Sequence, residues 1–397
     1  MTGLASTTFI LVINSGSSSV KFSLFGGHLF SDELLSGLAE RLGTPEAVLT
    51  WQASAGKQRE SLDGGDHSAA LSAIAKRLEA DYGAPFAIGH RVVHGGEAFT
   101  ESVLIDAGVI AGIEACASLA PLHNPPALLG IRALQSLYPQ VPQVAVFDTA
   151  FHQTLAPEAF LYAVPKDWYT NLGVRRYGFH GTSHRYVAGE AVQRLALDPN
   201  DHGVISAHLG NGCSATAVKN GRAVDTTMGL TPLEGLVMGT RSGDVDPGLH
   251  AYLADRLGWS LAQINDALNR QSGLLGLSGL SNDMRTLIEA ADAGNADAEL
   301  AIDVFCFRLA RKIGGLAMSL SRLDALVFTG GIGENAAPIR SRVLAHLGVL
   351  GFECDEAANL KPGEHVRITR ADSTAALVIP TREEFMIAQD TQRLTQR

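Results

Sequence analysis

Two matching glycine turns constrain this chain more than any other feature it carries. The first lies in Asn14-Ser-Gly16-Ser-Ser-Ser-Val-Lys21, after the apolar run Phe9 to Ile13 and before the alternating run Val20 to Phe25 and a Gly26-Gly27 pair. The second lies in His208-Leu-Gly210-Asn-Gly212-Cys-Ser214, between the runs Gly203 to Ala207 and Ala215 to Lys219, with Asn220-Gly221 leading into a third run, Arg222 to Asp225. Asn-Gly and Gly-Gly pairs between alternating segments turn hairpins, because these residues accept positive φ. Each half of the chain is therefore predicted to open with a β-hairpin whose first turn is rich in small, hydrogen-bonding residues. The copies lie too far apart to be solenoid units of ~20 to 50 residues, so the duplicated object is a whole domain.

Length agrees with that reading. At 397 residues the chain exceeds the ~250 to 300 residues one hydrophobic core supports, and two domains with a ligand cleft between them are expected. Strand-like runs at Phe9 to Ile13, Val144 to Phe147, Gly203 to Ala207 and Ala325 to Phe328 alternate with helical patterns. The helices are expected at Ser68 to Ala80, Pro126 to Tyr138, Ser183 to Leu195, Ala298 to Leu323, Pro338 to Leu347 and Glu383 to Arg397. The alternation reads as α/β. Residues 1–150 and 151–384 are taken as the two domains, with the helix 385–397 packing back on the first.

A formal charge of −10 opposes a nucleic-acid surface or an anionic membrane, since both select basic patches. Cys116, Cys213, Cys306 and Cys354 form no C-x-x-C pair, so neither a disulfide framework nor a zinc site is indicated, and a reducing cytoplasm fits. The first eight residues lack a basic segment, and Phe9 to Ile13 is too short for an export signal or a membrane span.

A turn offering backbone N–H groups and hydroxyls is a phosphate cradle. The Asn14 to Lys21 loop has a glycine, three consecutive serines, an amide and a cation. Read alone, it is equally a serine-rich turn. It lacks the Walker A spacing G-x-x-x-x-G-K-S/T and leads into a strand, which disfavours the P-loop and Rossmann readings. The second copy at His208 to Ser214 suggests a clamp on one polyphosphate. A third glycine turn, Phe328-Thr-Gly330-Gly331-Ile-Gly333-Glu-Asn335, joins a strand to a helix in the manner of nucleotide sites.

Arg91, in Gly89-His-Arg91-Val-Val-His94-Gly-Gly96, and Arg241, in Met238-Gly239-Thr-Arg241-Ser-Gly243, sit beside glycine turns and not on solvated helix faces. Such arginines suit a two-pronged grip on phosphate or carboxylate. His180 and His184 are four residues apart, but the glutamate of a zinc H-E-x-x-H motif is missing. His180 donating to a migrating phosphoryl oxygen is the sharper reading. Asp148 ends a strand, and Glu384 opens the last helix; either suits a cleft carboxylate or a metal ligand, while Glu384 also suits a helix N-terminus. A carboxylate acceptor is already anionic at neutral pH and needs its repulsion from ATP cancelled, not a base. Asp148 keeps a hydroxyl acceptor open.

Together these residues resemble the acetate and propionate kinase family. The motifs INSGSSSVKF, HRVVHGG, PLHNP, VFDTAFH, RRYGFHGTSH, HLGNGCS, TPLEGLVMGTRSGDVDPG, FTGGIGEN and TREEFMIAQDT carry the likeness along nearly the whole chain. The resemblance implies a duplicated α/β fold of the actin, Hsp70 and sugar-kinase type, ribonuclease H-like, around a nucleotide cleft. It also implies Mg-ATP as donor, with Mn²⁺ able to replace Mg²⁺, acetate as acceptor, acetyl phosphate and ADP as products, and a cytoplasmic homodimer. By matching motif, Arg91, Asp148, His180, Arg241 and His123 would serve catalysis, and Arg91, Val93, Leu122, Phe179 and Pro232 would hold the acetate. Asn14 and Glu384 would support the metal. ATP would meet Ser17, Ser19, Lys21, His208, Leu209, Gly210, Asn211 and Gly212. It would also meet Asp283, Met284, Arg285, Gly331, Ile332, Gly333, Glu334 and Asn335. A propionate or butyrate kinase is the alternative within the family, and an ATP-binding module without a carboxylate acceptor is the alternative outside it.

Overall fold

The computed structural model describes residues 8–27, 30–53, 56–361, 363 and 367–396. The start of the chain, read above for export signals, lies outside them up to residue 7, as does Arg397 at the end of the last expected helix. The chain divides into two compact units, residues 1–151 with 382–397, and residues 152–381.

In the first unit, β1 (Ile10–Ser15), β2 (Ser19–Gly26), β3 (Asp32–Glu40), β4 (Val48–Ala53), β5 (Gly56–Ser61), β6 (Ala87–Val92), β7 (Val103–Leu104) and β8 (Gln143–Phe147) form one sheet, ordered β5-β4-β3-β2-β1-β6-β8-β7. Strand β1 is buried on both faces, which explains its unbroken apolar run. Leu11 and Ile13 join a core with Val20, Phe22, Leu71 and Leu134, residues that bring in α1 (His67–Asp81) and α3 (Asn124–Leu137). Helix α2 (Ala107–Ala115) packs on α3. Ile10 and Val12 point the other way, into a core with Val144, Val146, Ile387 and Ala388. That face is covered by the carboxy-terminal helix, Glu383–Thr395, lying on β1, β6 and β8.

The second unit has β9 (Gly203–Leu209), β10 (Cys213–Lys219), β11 (Arg222–Thr226), β12 (Ala325–Thr329) and β13 (Ala375–Val378), ordered β11-β10-β9-β12-β13. Between β10 and β11, Asn220 and Gly221 have φ of 51° and 75°, the left-handed pair that a two-residue hairpin turn requires. Helices α4 (Pro157–Phe160), α5 (Lys166–Leu172) and α6 (Gly181–Arg194) precede this sheet, and α6 packs on β9 and β12. Helices α7 (Leu249–Leu257), α8 (Leu261–Arg270), α9 (Gly273–Ser278), α10 (Met284–Asp292) and α11 (Ala296–Ala317) follow β11. Helices α12 (Gly330–Asn335), α13 (Ala337–His346) and α14 (Glu356–Leu360) join β12 to β13.

The strand series β3-β2-β1-β6-β8 and β11-β10-β9-β12-β13 match in order and direction: two antiparallel pairs, then two parallel ones. The chain is thus an α/β protein with two mixed sheets of one duplicated topology. Helix α11 stops at Ala317, short of the expected Leu323, because the Met318 and Ser319 N–H groups close short turns onto Gly315 and Leu316.

Candidate active site

Parallel pairing aligns the carboxyl ends of β1, β6 and β8, the edge at which open α/β sheets place their ligands. Ile13 pairs with His90 and Arg91 with Val146, so Asn14, Arg91 and Asp148 emerge together. Arg91 grips Asp148 with two prongs, Nε to Oδ1 at 2.9 Å and Nη2 to Oδ2 at 2.6 Å, while Nη1 donates to Asn14 Oδ1 at 3.5 Å. Asp148 is only 1% exposed, and the Arg91 side chain is 20% exposed. Burial opposes the Arg91 charge, but Asp148, Glu383 and Glu384 outweigh it and hold the guanidinium above the ordinary arginine value.

Glu383 and Glu384 open the carboxy-terminal helix beside this pair. Lys21 Nζ lies 2.5 Å from Glu384 Oε1. Lys21 belongs to β2, paired with Asn14, so the cation of this segment is a strand residue beyond the turn. Burial, reinforced by Asp148 and Glu384 against Arg91 and Lys21, raises the Glu383 carboxyl from 4.5 to about 7. A folded value above the unfolded one means that folding favours the protonated form, so this stability is present below about pH 4.5 and is lost as pH rises to about 7. At 1.36 kcal/mol per unit, discounted for partial exposure, the loss is about 1 to 2 kcal/mol. Glu383→Gln is therefore expected to make the metal-free protein more stable than the parent at pH 8 and equal to it at pH 4.5, as read by urea unfolding. Parallel pH profiles would refute this. Elsewhere in the unit, Val93 is buried, Leu122 is 47% exposed and His123 precedes α3.

The two glycine turns share one closure. Gly16 donates its N–H to the Ser19 carbonyl at 2.8 Å, and Gly210 donates to the Gly212 carbonyl at 3.1 Å. The second turn is shorter by a residue, since Ser15 pairs with Val20 but Leu209 pairs with Cys213. Ser17 is exposed on the first turn.

Around the second turn, Arg241 and His180 converge. His180 sits at the start of α6 with φ 55° and ψ 29°, a left-handed conformation that non-glycine residues adopt only where neighbours impose it. Next to it, the Phe179 carbonyl accepts from His152 Nε2 at 2.9 Å. The His180 ring stacks on His208 with centroids 4.4 Å apart. Arg241 Nη1 donates to the Pro232 carbonyl at 2.9 Å. Its loop is tied to the turn by the Gly239 N–H, 3.0 Å from the Asn211 carbonyl. A Cβ added to Gly212 would lie 3.5 Å from Arg241 Nη1 and 3.6 Å from His180 Nε2. Glycine keeps that space open.

A cavity of about 790 Å³ lies alongside, lined by Gly210 and Asn211 of the turn, Asp283, Met284 and Arg285 at the start of α10, and Gly331, Ile332 and Asn335 of α12. That volume suits a small-molecule ligand. Of the residues of this unit expected to meet ATP, His208, Leu209, Gly212, Gly333 and Glu334 do not line it. Leu209 is buried in β9, and Gly333 packs beneath against Phe328. Glu334 turns inward, where Oε1 accepts from the Gly330 N–H at 2.9 Å and the Thr381 N–H at 3.1 Å.

Two neighbours went unread in the sequence. Asn282, which donates to Asn211 Oδ1 at 3.1 Å and lines the cavity, stands one residue before the expected Asp283. Buried Arg340 donates to the Gly333 and Glu334 carbonyls, both at 2.9 Å, and to Asn359, so it braces the end of α12. An arginine among helix-forming residues carries no signal of such a role.

Residues 9–389 match the family model described as the Acetokinase family. This chain belongs to the acetokinase family. It is 57% identical to a protein named acetate kinase from Ectopseudomonas mendocina (strain ymp), over 96% of this chain and 98% of that one. Among acetokinase structures, that of Porphyromonas gingivalis acetate kinase is 43% identical with a TM-score of 0.91, covering 98% of this chain and 99% of that one. A propionate kinase from Francisella tularensis subsp. tularensis SCHU S4 is 47% identical with a TM-score of 0.93, covering 98% and 100%. The match thus reaches into both units and includes every site residue described above.

Proposed function

We propose that this chain is an acetate kinase, transferring the γ-phosphoryl group of ATP directly to acetate in a reversible, in-line reaction that yields acetyl phosphate and ADP. One observation carries the proposal. A single turn lines the nucleotide-sized cavity with Gly210 and Asn211, and with its next residue, Gly212, borders the space shared by Arg241 and His180. The phosphate end of a nucleotide seated in that cavity would run toward a guanidinium and an imidazole.

The acceptor carboxylate needs no base, because its pKa near 4 leaves it ionised. Positive charge is the main requirement of phosphoryl transfer. Arg241 and Arg91 bind the anionic acceptor and the moving group, Asp148 holds Arg91 in its fork, and His180 donates a hydrogen bond to a phosphoryl oxygen. Ser17, Ser19, Lys21 and His208 complete the phosphate contacts, and His123 assists the acceptor.

Asn14 and Glu384 offer oxygen donors only, and among the described residues no group of three or more His, Cys, Asp or Glu forms a dedicated cage. That donor set fits Mg²⁺, which keeps several waters and is bound chiefly through substrate phosphates. When bound, the ion neutralises phosphate charge.

Val93, Leu122, Phe179 and Pro232 form the apolar contact for the acetate methyl. One methylene there changes discrimination by only ~1 to 3 kcal/mol, and the likeness to a propionate kinase makes propionate the second reading. Hydroxylamine trapping decides both: Mg-ATP with acetate is expected to give an acyl hydroxamate, with kcat/KM for acetate above that for propionate. ATP binding without a trapped product with either acid would sink the kinase reading. The reading includes a cytoplasmic homodimer, for which sedimentation is the test. Among the described residues no helix is long and apolar enough to cross a membrane.

A further inference from the structure

Behind His180 runs a chain of buried side chains with no role in the reaction described so far. His180 Nδ1 lies 2.9 Å from Ser214 Oγ, the same hydroxyl lies 2.7 Å from His184 Nε2, and His184 Nδ1 lies 2.7 Å from Ser206 Oγ. Ser206, Ser214 and His184 are each 0% exposed. Burial, with the neighbouring His152 and His208, holds His184 well below the ordinary imidazole value. A neutral imidazole has one donor and one acceptor, and each hydroxyl has one hydrogen. The protons of the chain must therefore all point the same way.

Ser206 sets the direction. His184 Nδ1 is its only side-chain partner among the described residues, and a buried hydroxyl that fails to donate has lost its water partner with nothing in exchange. Ser206 thus donates to His184 Nδ1, His184 Nε2–H to Ser214, and Ser214 to His180 Nδ1. The remaining proton falls on His180 Nε2, the nitrogen beside Gly212. A second chain has the same sense: Thr381 donates to Ser183 at 2.8 Å, and Ser183, also buried, lies 2.8 Å from His208 Nδ1.

We propose that Ser206, His184 and Ser214 are positioning residues that lock His180 in its Nε2–H tautomer, so that it meets the phosphoryl group as a neutral hydrogen-bond donor. The proposal rests on the role assigned to His180 above. Orientation of an imidazole by the partner of its far nitrogen is a general device, and loss of such a partner costs about 10- to 100-fold where it orients metal ligands.

The test is carried by Ser214→Ala and by the pair Ser206→Ala and Ser206→Thr, each examined by ¹H–¹⁵N spectra of histidine-labelled protein and by steady-state kinetics. The parent enzyme is expected to show His180 protonated at Nε2. Ser214→Ala is expected to mix the two tautomers and lower kcat about 10- to 100-fold with KM for ATP unchanged. Ser206→Ala should do the same more weakly, and Ser206→Thr, which keeps the hydroxyl, should restore both readouts. A parent His180 protonated at Nδ1 overturns the proposal, as does a Ser214→Ala protein whose His180 keeps the Nε2–H form, whatever its rate. If Ser214→Ala does not fold, the Ser206 pair decides by the same criteria. His180→Ala separates the two readings: full activity there removes the role of His180 itself, while lost activity there with an unaltered Ser214→Ala removes only the chain behind it.

Discussion

Replacing Arg91 with alanine is expected to remove most of kcat and to weaken the fold at the same time, two losses with different cures. Loss of a donor aimed at developing charge costs about 100- to 1000-fold in rate. The stability loss has another origin. Asp148 is 1% exposed and has both oxygens on the guanidinium, and a buried charge left without its partner costs about 3 to 5 kcal/mol. The double variant Arg91→Ala, Asp148→Ala should therefore regain much of the stability and none of the activity. Arg91→Lys should stay slow, because an ammonium cannot reproduce the two-pronged contact. Urea unfolding and the hydroxamate assay read the two quantities separately. A single Arg91→Ala variant with full kcat would remove Arg91 from the reaction, and a double variant no more stable than the single would show that the buried carboxylate is not what Arg91 protects.

Gly212→Ala should do the reverse, damaging activity and sparing the fold. Its backbone is not in the left-handed region, and a methyl there would meet its neighbours at 3.5 to 3.6 Å, ordinary contact distances. Those neighbours are Arg241 Nη1 and His180 Nε2, so the methyl occupies the space proposed for the phosphoryl group. A displacement of about 1 Å in a reacting group costs on the order of 100-fold. The expected outcome is a fall of that size in kcat/KM for both acetate and ATP, with a melting temperature close to the parent's. Gly273→Ala is the contrasting control. With φ +62° and a Cβ only 2.2 Å from the Met238 carbonyl, it should displace the Arg241 loop and unfold earlier. Full activity in Gly212→Ala would place the transferred group elsewhere.

The features readable in the sequence are those for which local chemistry and tertiary structure agree. Asn220-Gly221 announces its hairpin because few other pairs accept its backbone angles, and β1 announces itself because both faces are buried. Strands β3 to β5 are harder to see. In β5, Lys57 to Ser61 is exposed throughout, so no apolar alternation marks it. Helices α7 to α10 are short and broken at Gly258, Gly273 and Gly279, all with positive φ. Within the site, glycine-flanked Arg91 and Arg241 stand out because their surroundings suit no solvated helix face, although Arg91 itself lies in strand β6. Glu334 shares a glycine turn with cavity residues, yet its carboxylate accepts from the Gly330 N–H at the start of its own helix and from the distant Thr381 N–H, a pairing that sequence does not show. Ser206 and Ser214 are invisible in sequence, since alternating small residues in a buried strand look alike whether or not they carry a hydrogen bond.

The helix that follows β8 packs on the second sheet, and the helix that follows β13 packs on the first. The first unit is therefore discontinuous. As the chain leaves the ribosome, residues 1–151 emerge with Ile10, Val12, Val144 and Val146 lacking the cover of Ile387 and Ala388. Amino-terminal domains generally fold first during synthesis. Here one face of the first unit's sheet is covered only once residues 382–397 have been made, and the same residues bring Glu383 and Glu384 to Arg91.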